Sequence, residues 1–137
     1  MKITEKLIAV IEVGRDGLVA IYARSEEHNC MILGCGNSEE EAREDFFECR
    51  DELKQMAEKA GTEFPNFDIE FAYETASFLR YYGNTITLTG LQKITGINSK
   101  QLSHYVTGYR KPSPKTVERI RQGVSKFAET LQHAILV

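Results

Sequence analysis

Residues 91–105 read LQKITGINSKQLSHY, and this stretch decides how the C-terminal part of the chain folds. Its apolar residues predict one face of a short helix that ends at Gly96, where a turn needs a positive φ. Asn98 is a favoured N-cap with Gln101 three residues later as a capping-box partner, so a second helix begins there. Two short helices joined by a glycine turn are typical of a helix-turn-helix DNA-binding motif.

The second helix of this motif is expected to present its polar face to DNA. Leu102 and either Tyr105 or Val106 face the interior, and Gly108 ends the helix. The residues left facing outward near the helix N-terminus are in the position that meets base edges in such motifs. These predicted base-facing residues are Ser99, Lys100, Ser103 and His104.

A third helix follows, because Ser113 is an N-cap and Pro114 suits the first helical position. Its predicted buried stripe is Val117, Ile120, Val124, Phe127 and Leu131. A basic rim suited to phosphates, which set affinity and register, consists of Arg110, Lys111, Lys115, Arg119, Arg121 and Lys126. The residues predicted to face phosphates most directly are Thr89, Arg110, Lys111 and Lys115.

The first half of the chain has a different pattern, which predicts the order β-β-β-α-β. Residues 6–13 are apolar on both faces, as in a central strand, and a turn at 14–17 leads to a returning strand. After a third strand, Ser38 and Glu41 form a capping box that starts a long helix. The predicted apolar face of this helix is Ala42, Phe46, Cys49, Leu53, Met56 and Ala60, and an alternating strand follows at 67–73.

The charge is divided unequally between the two halves. Residues 1–73 hold 8 Lys+Arg against 17 Asp+Glu, a net charge of −9. Residues 74–137 hold 9 against 3, a net charge of +6. This asymmetry indicates an acidic module joined to one that faces nucleic acid.

The C-terminal residues resemble a phage-repressor-type (Xre-like) helix-turn-helix. The resemblance is carried by GIN at 96–98, LSHY at 102–105, GYRKPS at 108–113 and TVERI at 116–120. One departure is Gln92, because that family usually has alanine there. The resemblance implies binding to duplex operator DNA as a dimer.

The N-terminal residues, and their combination with the C-terminal module, resemble the HicB antitoxin family. The stretches DGLVA at 16–20 and GNSEEEA at 36–42 carry this likeness, together with the apolar tail ILV at 135–137. The resemblance implies an antitoxin that masks a HicA-type mRNA-cleaving toxin and represses its own operon. An acidic module also suits a basic partner. The residues expected to contribute to toxin binding are Asp16, Glu26 and Glu27.

The predicted fold class is α+β, with a small partial ribonuclease-H-like domain followed by an all-α helix-turn-helix domain. The toxin-binding domain is expected at 1–74 and the DNA-binding domain at 77–131. The tail at 132–137 is aliphatic, and we expect it to pack as a strand across the interface of a homodimer or higher oligomer. The alternative is a tail folded onto its own domain.

Other functions have less support from the residues. Glu12, Asp16 and Asp68 are candidate carboxylates for a two-metal nuclease. However, Asp16 suits a turn and no nucleophile–base pair is evident, so we expect no enzyme and no cofactor.

A metal held by His28, Cys30 and Cys35 would need a chance convergence, so free, partly buried thiols are expected. The alternative function is a stand-alone DNA-binding regulator whose N-terminal domain senses a small ligand. That function would require a sizeable apolar pocket.

The location expected from the sequence is cytoplasmic. No apolar run approaches the roughly 18 residues of a membrane span, and the first residues lack the apolar stretch of a secretory signal. The three cysteines are an odd set without the spacing of a zinc knuckle. We therefore expect no membrane partner.

Overall fold

The computed structural model describes residues 4–137. The chain divides into two compact units between Ser77 and Phe78. The first unit contains a sheet with one long helix. In chain order its elements are β1 (Thr4–Val13), β2 (Val19–Ser25), β3 (Cys30–Gly36), α1 (Glu39–Lys59) and β4 (Asn66–Tyr73).

The sheet has the strand order β3-β2-β1-β4, so β1 is central as predicted. β1 pairs with β2 in the antiparallel sense and with β4 in the parallel sense, and β2 pairs antiparallel with β3. In this register Val10 lies opposite Tyr22 on one side and Ala72 on the other, and Tyr22 lies opposite Leu33. Together with the helices of the chain, this mixed sheet confirms the predicted α+β class.

The start of α1 is fixed by side-chain hydrogen bonds. Ser38 is the N-cap, and its Oγ accepts from the Glu41 backbone N–H at 3.1 Å. The Glu41 carboxylate in turn accepts from the Asn37 backbone N–H at 2.8 Å. The capping box is therefore present, but its return bond goes to the residue before the cap.

α1 packs on one face of the sheet. Ala42 and Phe46 are fully buried there, and the helix backbone lies against Gly34 of β3, where a Cβ atom would collide with the Ala42 carbonyl oxygen and the Phe46 amide nitrogen. The prediction that the apolar stripe continues to the end of the helix is wrong. Met56 is 65% exposed and Ala60 is also exposed, because this half of α1 extends past the sheet core.

The second face of the sheet is not covered by any described element of the first unit. Burial of both faces of β1, which its composition predicts, is therefore not observed. We call this surface the open sheet face. It is formed by the side chains of Ile8, Val10, Tyr22, Met31 and Leu33.

The remaining secondary structure of the described chain is helical. It includes a short 3-10 turn at Tyr82–Asn84. The buried core of the second unit is formed by Leu79, Leu91, Ile97, Leu102, Tyr105 and Ile120. The helices are α2 (Thr75–Tyr81), which spans the boundary between the units, α3 (Leu88–Thr95), α4 (Ser99–Thr107) and α5 (Pro114–Gln132).

α5 crosses α3 at a close approach. A Cβ atom on Gly123 would lie 2.5 Å from the Ile94 carbonyl oxygen, so only glycine fits the crossing. The predicted buried stripe of α5 is correct at Ile120 but wrong at its end. Phe127 and Leu131 are exposed, because the last turns of α5 extend beyond the core of the unit.

The end of the C-terminal tail is accessible to solvent, and the three cysteines differ in exposure. Residues 134–137 form neither helix nor strand in the single chain, and the side chains from Ile135 onward are exposed. All three cysteines are free thiols, and Cys35 is exposed rather than partly buried. Within residues 4–137 no helix is long and apolar enough to cross a membrane.

We predict that Gly34→Ala destabilises the first unit by about 1–3 kcal/mol, because the added methyl group forces α1 away from the sheet. Hydrogen exchange of the β1 and β3 backbone amides in the full chain measures this effect. Cys35→Ala is the matched control, since its exposed side chain leaves the helix contact intact. Equal protection of both variants would contradict the described packing.

Candidate nucleic-acid interface

The turn between α3 and α4 is built around Gly96. This residue has φ 74° and lies in the left-handed region, which disfavours side chains with a Cβ atom. Its carbonyl accepts from the Arg119 guanidinium at 3.1 Å. The Thr95 hydroxyl donates to the Leu91 carbonyl at 2.7 Å and accepts from the Ile97 N–H at 3.2 Å. The turn is therefore fixed from both sides, with buried Ile97 between the helices.

The N-terminus of α4 is capped by Asn98, as predicted. The Asn98 side chain accepts from the Lys100 backbone N–H at 2.8 Å. The predicted role of Gln101 as capping-box partner is wrong. Its side chain donates to the Tyr105 hydroxyl at 2.6 Å instead, one helical turn further along α4.

Gln92 supplies the second cap that the sequence did not reveal. Its side-chain oxygen accepts from the Ser99 backbone N–H at 2.8 Å. Because Gln92 lies on α3 and Ser99 is the first residue of α4, this bond ties the two helices together. Glutamine at this position thus has a structural role.

The four predicted base-facing residues lie on one side of α4. Leu102 and Tyr105 are buried on the opposite side, against the core of the unit. Lys100 is exposed, whereas the other three are half-buried. Helical spacing of i, i+1, i+4 and i+5 brings the set together on a single strip: Ser99, Lys100, Ser103 and His104.

The predicted phosphate-facing residues are all exposed: Thr89, Arg110, Lys111 and Lys115. Thr89 lies in the first turn of α3, and Lys115 lies in the first turn of α5. The Arg110 backbone N–H donates to the His104 carbonyl at 3.2 Å, so the segment after α4 is held to that helix. Ser113 caps α5 and Pro114 begins it, as the sequence predicts.

Two members of the predicted basic rim are engaged within the unit. Arg119 donates to the Gly96 carbonyl. Arg121 forms an ion pair with Glu118, and its two hydrogen bonds to that carboxylate measure 2.9 Å and 2.5 Å. The hydrogen bond from Arg121 lowers the pKa of Glu118. These guanidinium groups are therefore less suited to phosphate than Lys111 or Lys115.

Tyr109 is a candidate surface residue that the sequence analysis missed. Its ring is 72% exposed and its centroid lies 4.9 Å from that of His104. The Arg110 guanidinium lies 5.9 Å from the same ring centre. In the sequence, the signal for such a surface residue is an aromatic residue placed between the glycine that ends α4 and two basic residues.

The three residues predicted to contact a toxin do not form one patch. Asp16 lies in the turn between β1 and β2, where its carboxylate accepts from the Leu18 backbone N–H at 3.1 Å. Glu26 and Glu27 lie in the turn between β2 and β3 and are exposed. The length of β2 separates the two turns by roughly 20 Å, so one small contact cannot include both.

The candidate carboxylates for metal-dependent catalysis are also dispersed. Asp68 lies opposite Lys6, near the start of β1, whereas Glu12 lies near its end and accepts from the Tyr22 hydroxyl at 3.0 Å. Six residues of strand separate these positions by roughly 20 Å. Asp16 lies in the turn after β1, where its carboxylate accepts a hydrogen bond from the Leu18 backbone N–H.

The structure does bring Ser25 and His28 together, with Glu5. The buried Ser25 hydroxyl lies 2.8 Å from the Glu5 carboxylate and 3.2 Å from His28 Nδ1, which is itself 3.0 Å from Glu5. Serine and carboxylate meet the same ring nitrogen, unlike the two separate nitrogens of a catalytic triad. The cluster holds the 26–29 turn to β1.

Among the described residues, one group of possible metal-ligating side chains comes together, but it is not the group considered from the sequence. Glu5, Glu27 and His28 have ligand atoms within 4.8 Å of one another. The grouping considered from the sequence, His28 with Cys30 and Cys35, does not come together in residues 4–137. Burial raises the pKa of the Cys30 thiol, with smaller contributions from Cys49 and Glu5.

Comparison of the chain with protein-family models, with curated proteins and with solved structures found no significant match. Two features of the chain bear most directly on its function. They are the fixed α3–α4 turn with its outward polar strip and the division of charge between the halves of the chain.

Proposed function

We propose that the chain is a HicB-type antitoxin. In this proposal a partial ribonuclease-H-like domain masks a HicA-type mRNA-cleaving toxin, and a helix-turn-helix domain represses the operon that encodes both proteins. The chain has a binding role and no catalytic one. The observation that carries the proposal is the α3–Gly96–α4 turn, whose geometry presents one polar strip of α4 outward.

The turn supports DNA binding through both shape and charge. The N-terminal half of α4 carries Lys100 and two serines on its outward strip, where base edges are met in helix-turn-helix proteins. Residues 74–137 have a net charge of +6, which favours a polyanion. Lys111 and Lys115 follow the strip in sequence and suit phosphate contacts, which position the protein without selecting a sequence.

The acidic first unit supports a basic protein as the second partner. Residues 1–73 carry a net charge of −9, and complementary potentials accelerate association of oppositely charged proteins. A ribonuclease that binds RNA presents a basic surface for the same reason. An acidic antitoxin domain would compete with RNA for that surface.

The apolar C-terminus supports self-association. Phe127 and Leu131 are exposed on the last turns of α5, and the exposed residues Ile135 to Val137 follow. Contiguous exposed apolar side chains of this kind mark interfaces. A second copy of the chain is the proposed occupant, since a dimer matches the two half-sites of a palindromic operator.

The alternative function, a DNA-binding regulator with a ligand-sensing first unit, has one observation in its favour. A cleft of about 540 Å³ lies between α1 and the segment that leads into β4. Its lining is mainly charged and polar, including Arg50, Lys54 and Glu63, whereas small-ligand sites are predominantly apolar. The antitoxin function is therefore the better supported of the two.

Co-expression of this chain with the product of the adjacent short reading frame tests the proposed function. We expect the untagged chain to co-purify with that product and to relieve its toxicity in a growth assay. The Lys100→Ala/Lys111→Ala double variant should relieve toxicity equally while losing DNA binding. Absence of both co-purification and rescue would leave a DNA-binding regulator without a toxin partner.

We predict that Lys100→Ala and His104→Ala each weaken operator binding by about 1–3 kcal/mol, because each removes hydrogen bonds to a base edge. The measurement is a titration of the full chain with operator duplex and with random duplex of equal length. Lys54→Ala, an exposed lysine of α1, is the control for the removal of one positive charge. An equal decrease in affinity for both duplexes would show that the two side chains touch only the backbone of DNA.

We predict that Lys111→Ala weakens binding to every duplex alike and lowers the slope of log K against log salt by about one unit. The reason is that a phosphate contact releases a counterion regardless of sequence. Affinity measured across a series of salt concentrations gives the slope. A slope equal to that of the wild-type chain would remove Lys111 from the phosphate-facing set.

A further inference from the structure

The open sheet face is an apolar surface that no described element of the first unit covers. Ile8 is 58% exposed, Met31 43% and Leu33 51%. Side chains of paired residues on adjacent strands point to the same side, so Val10, Tyr22 and Leu33 form one row across three strands. Adjacent exposed apolar side chains of this kind are typical of interaction surfaces.

The middle of β1 carries apolar residues on both of its faces. Leu7, Ala9 and Ile11 are buried on the side of α1, and Ile8 and Val10 lie on the other side. The solvated face of a sheet is commonly polar. The apolar residues on the open side therefore indicate a partner surface.

Carboxylates lie beside this apolar row. The Tyr22 hydroxyl donates to Glu12 at 3.0 Å, and this hydrogen bond raises the pKa of Tyr22, with burial and the charges of Glu12 and Glu74 adding to the effect. Glu74 extends the pairing of β4, because its backbone N–H donates to the Ile11 carbonyl at 3.1 Å. Two negative charges thus flank the tyrosine at one end of the face.

The other charges on this side of the sheet leave it acidic. The Lys6 ammonium forms an ion pair with Glu70 at 3.1 Å. Asp68, which lies opposite Lys6 on β4, is exposed. Arg24, the other cationic residue on this side of the three antiparallel strands, lies opposite Met31. A second copy of the chain would place further carboxylates against Glu12 and Glu74. A partner with basic side chains around an apolar patch complements both features.

We propose that the open sheet face is the docking surface for the basic protein partner, with its apolar row covered by apolar residues of the partner and a cationic side chain received between Glu12 and Glu74. This inference rests on the proposed antitoxin function and places the interface on the strands. It replaces Asp16, Glu26 and Glu27 as the centre of the interface. Those residues lie in turns at opposite ends of β2.

The test measures the affinity of the full chain for the purified product of the adjacent short reading frame. Ile8→Asp and Leu33→Asp should each weaken binding about tenfold or more, as disruption of a central apolar anchor does. Met56→Asp is the matched control, because Met56 is also an exposed apolar residue but lies on α1. It should bind within about twofold of the wild-type chain, well inside the roughly 1.4 kcal/mol of a tenfold change.

A second variant removes charge without disturbing the sheet. Glu12→Gln/Glu74→Gln keeps the shape of both side chains and an acceptor for the Tyr22 hydroxyl, and it should weaken binding and reduce its dependence on salt. Operator binding by each variant, together with exchange protection of the β1 amides, verifies that both units remain folded.

The outcomes separate this inference from the proposed function. Capture of the partner by the wild-type chain, with unchanged affinity in the three open-face variants, would overturn the docking surface and leave the antitoxin function standing. Self-association that Ile8→Asp abolishes while partner binding persists would assign the face to a second copy and also overturn it. Failure of the wild-type chain to bind the partner would overturn both.

Discussion

The contact between α1 and the backbone of Gly34 determines which side of the sheet is buried. Because glycine leaves no Cβ at this point, the helix lies directly on β3, and Phe46 fills the space beneath it. The single helix of this unit can cover only one face. The opposite side of β1 keeps its apolar residues exposed, and the docking surface that we propose follows from this constraint.

The second unit depends on a comparable constraint at Gly96. Its left-handed backbone sets the direction of α4 relative to α3, and hydrogen bonds from Arg119 and Ser99 hold the two helices in that arrangement. The rigid turn defines which side of α4 faces outward. Side chains on a fixed helix are suited to reading base edges, because little conformational freedom remains to be lost on binding.

The division of charge suits each unit to a different class of partner. The acidic half is suited to a basic protein and the basic half to DNA, although the whole chain has a net charge of only −3. In the proposed function, joining both in one chain would let the level of free toxin affect repression of the operon. Reciprocal coupling of this kind requires that binding at one unit change affinity at the other.

Local signals in the sequence predicted most elements of the fold. Ser38, Asn98 and Ser113 were recognised as N-caps because a cap depends on residues close in sequence. The partners of Gln92 and Gln101 were not, because the Gln92 bond crosses from α3 to α4 and Gln101 bonds along α4 to Tyr105 instead of back to the cap. The exposure of Met56 and Phe127 was missed for a related reason, since helical periodicity does not show where the neighbouring core ends.

The candidate sites were predictable to different degrees. The outward strip of α4 follows from helical spacing alone, so its four residues lie together. The open sheet face, which we propose as the partner surface, cannot be found from residue spacing. It depends on which face of the sheet is covered and on the register of three strands. The clustering of Ser25 and His28 with Glu5 was equally hidden, since it joins a turn to the beginning of a distant strand.

Hydrogen exchange of the full chain, alone, with operator duplex and with the partner protein, tests the central claim most directly. The account predicts that DNA protects backbone amides of α4 and of residues 108–115, while the partner protects amides of β1 to β3. Protection of the same segment by both ligands, or protection of α4 by the partner and of the sheet by DNA, would contradict it.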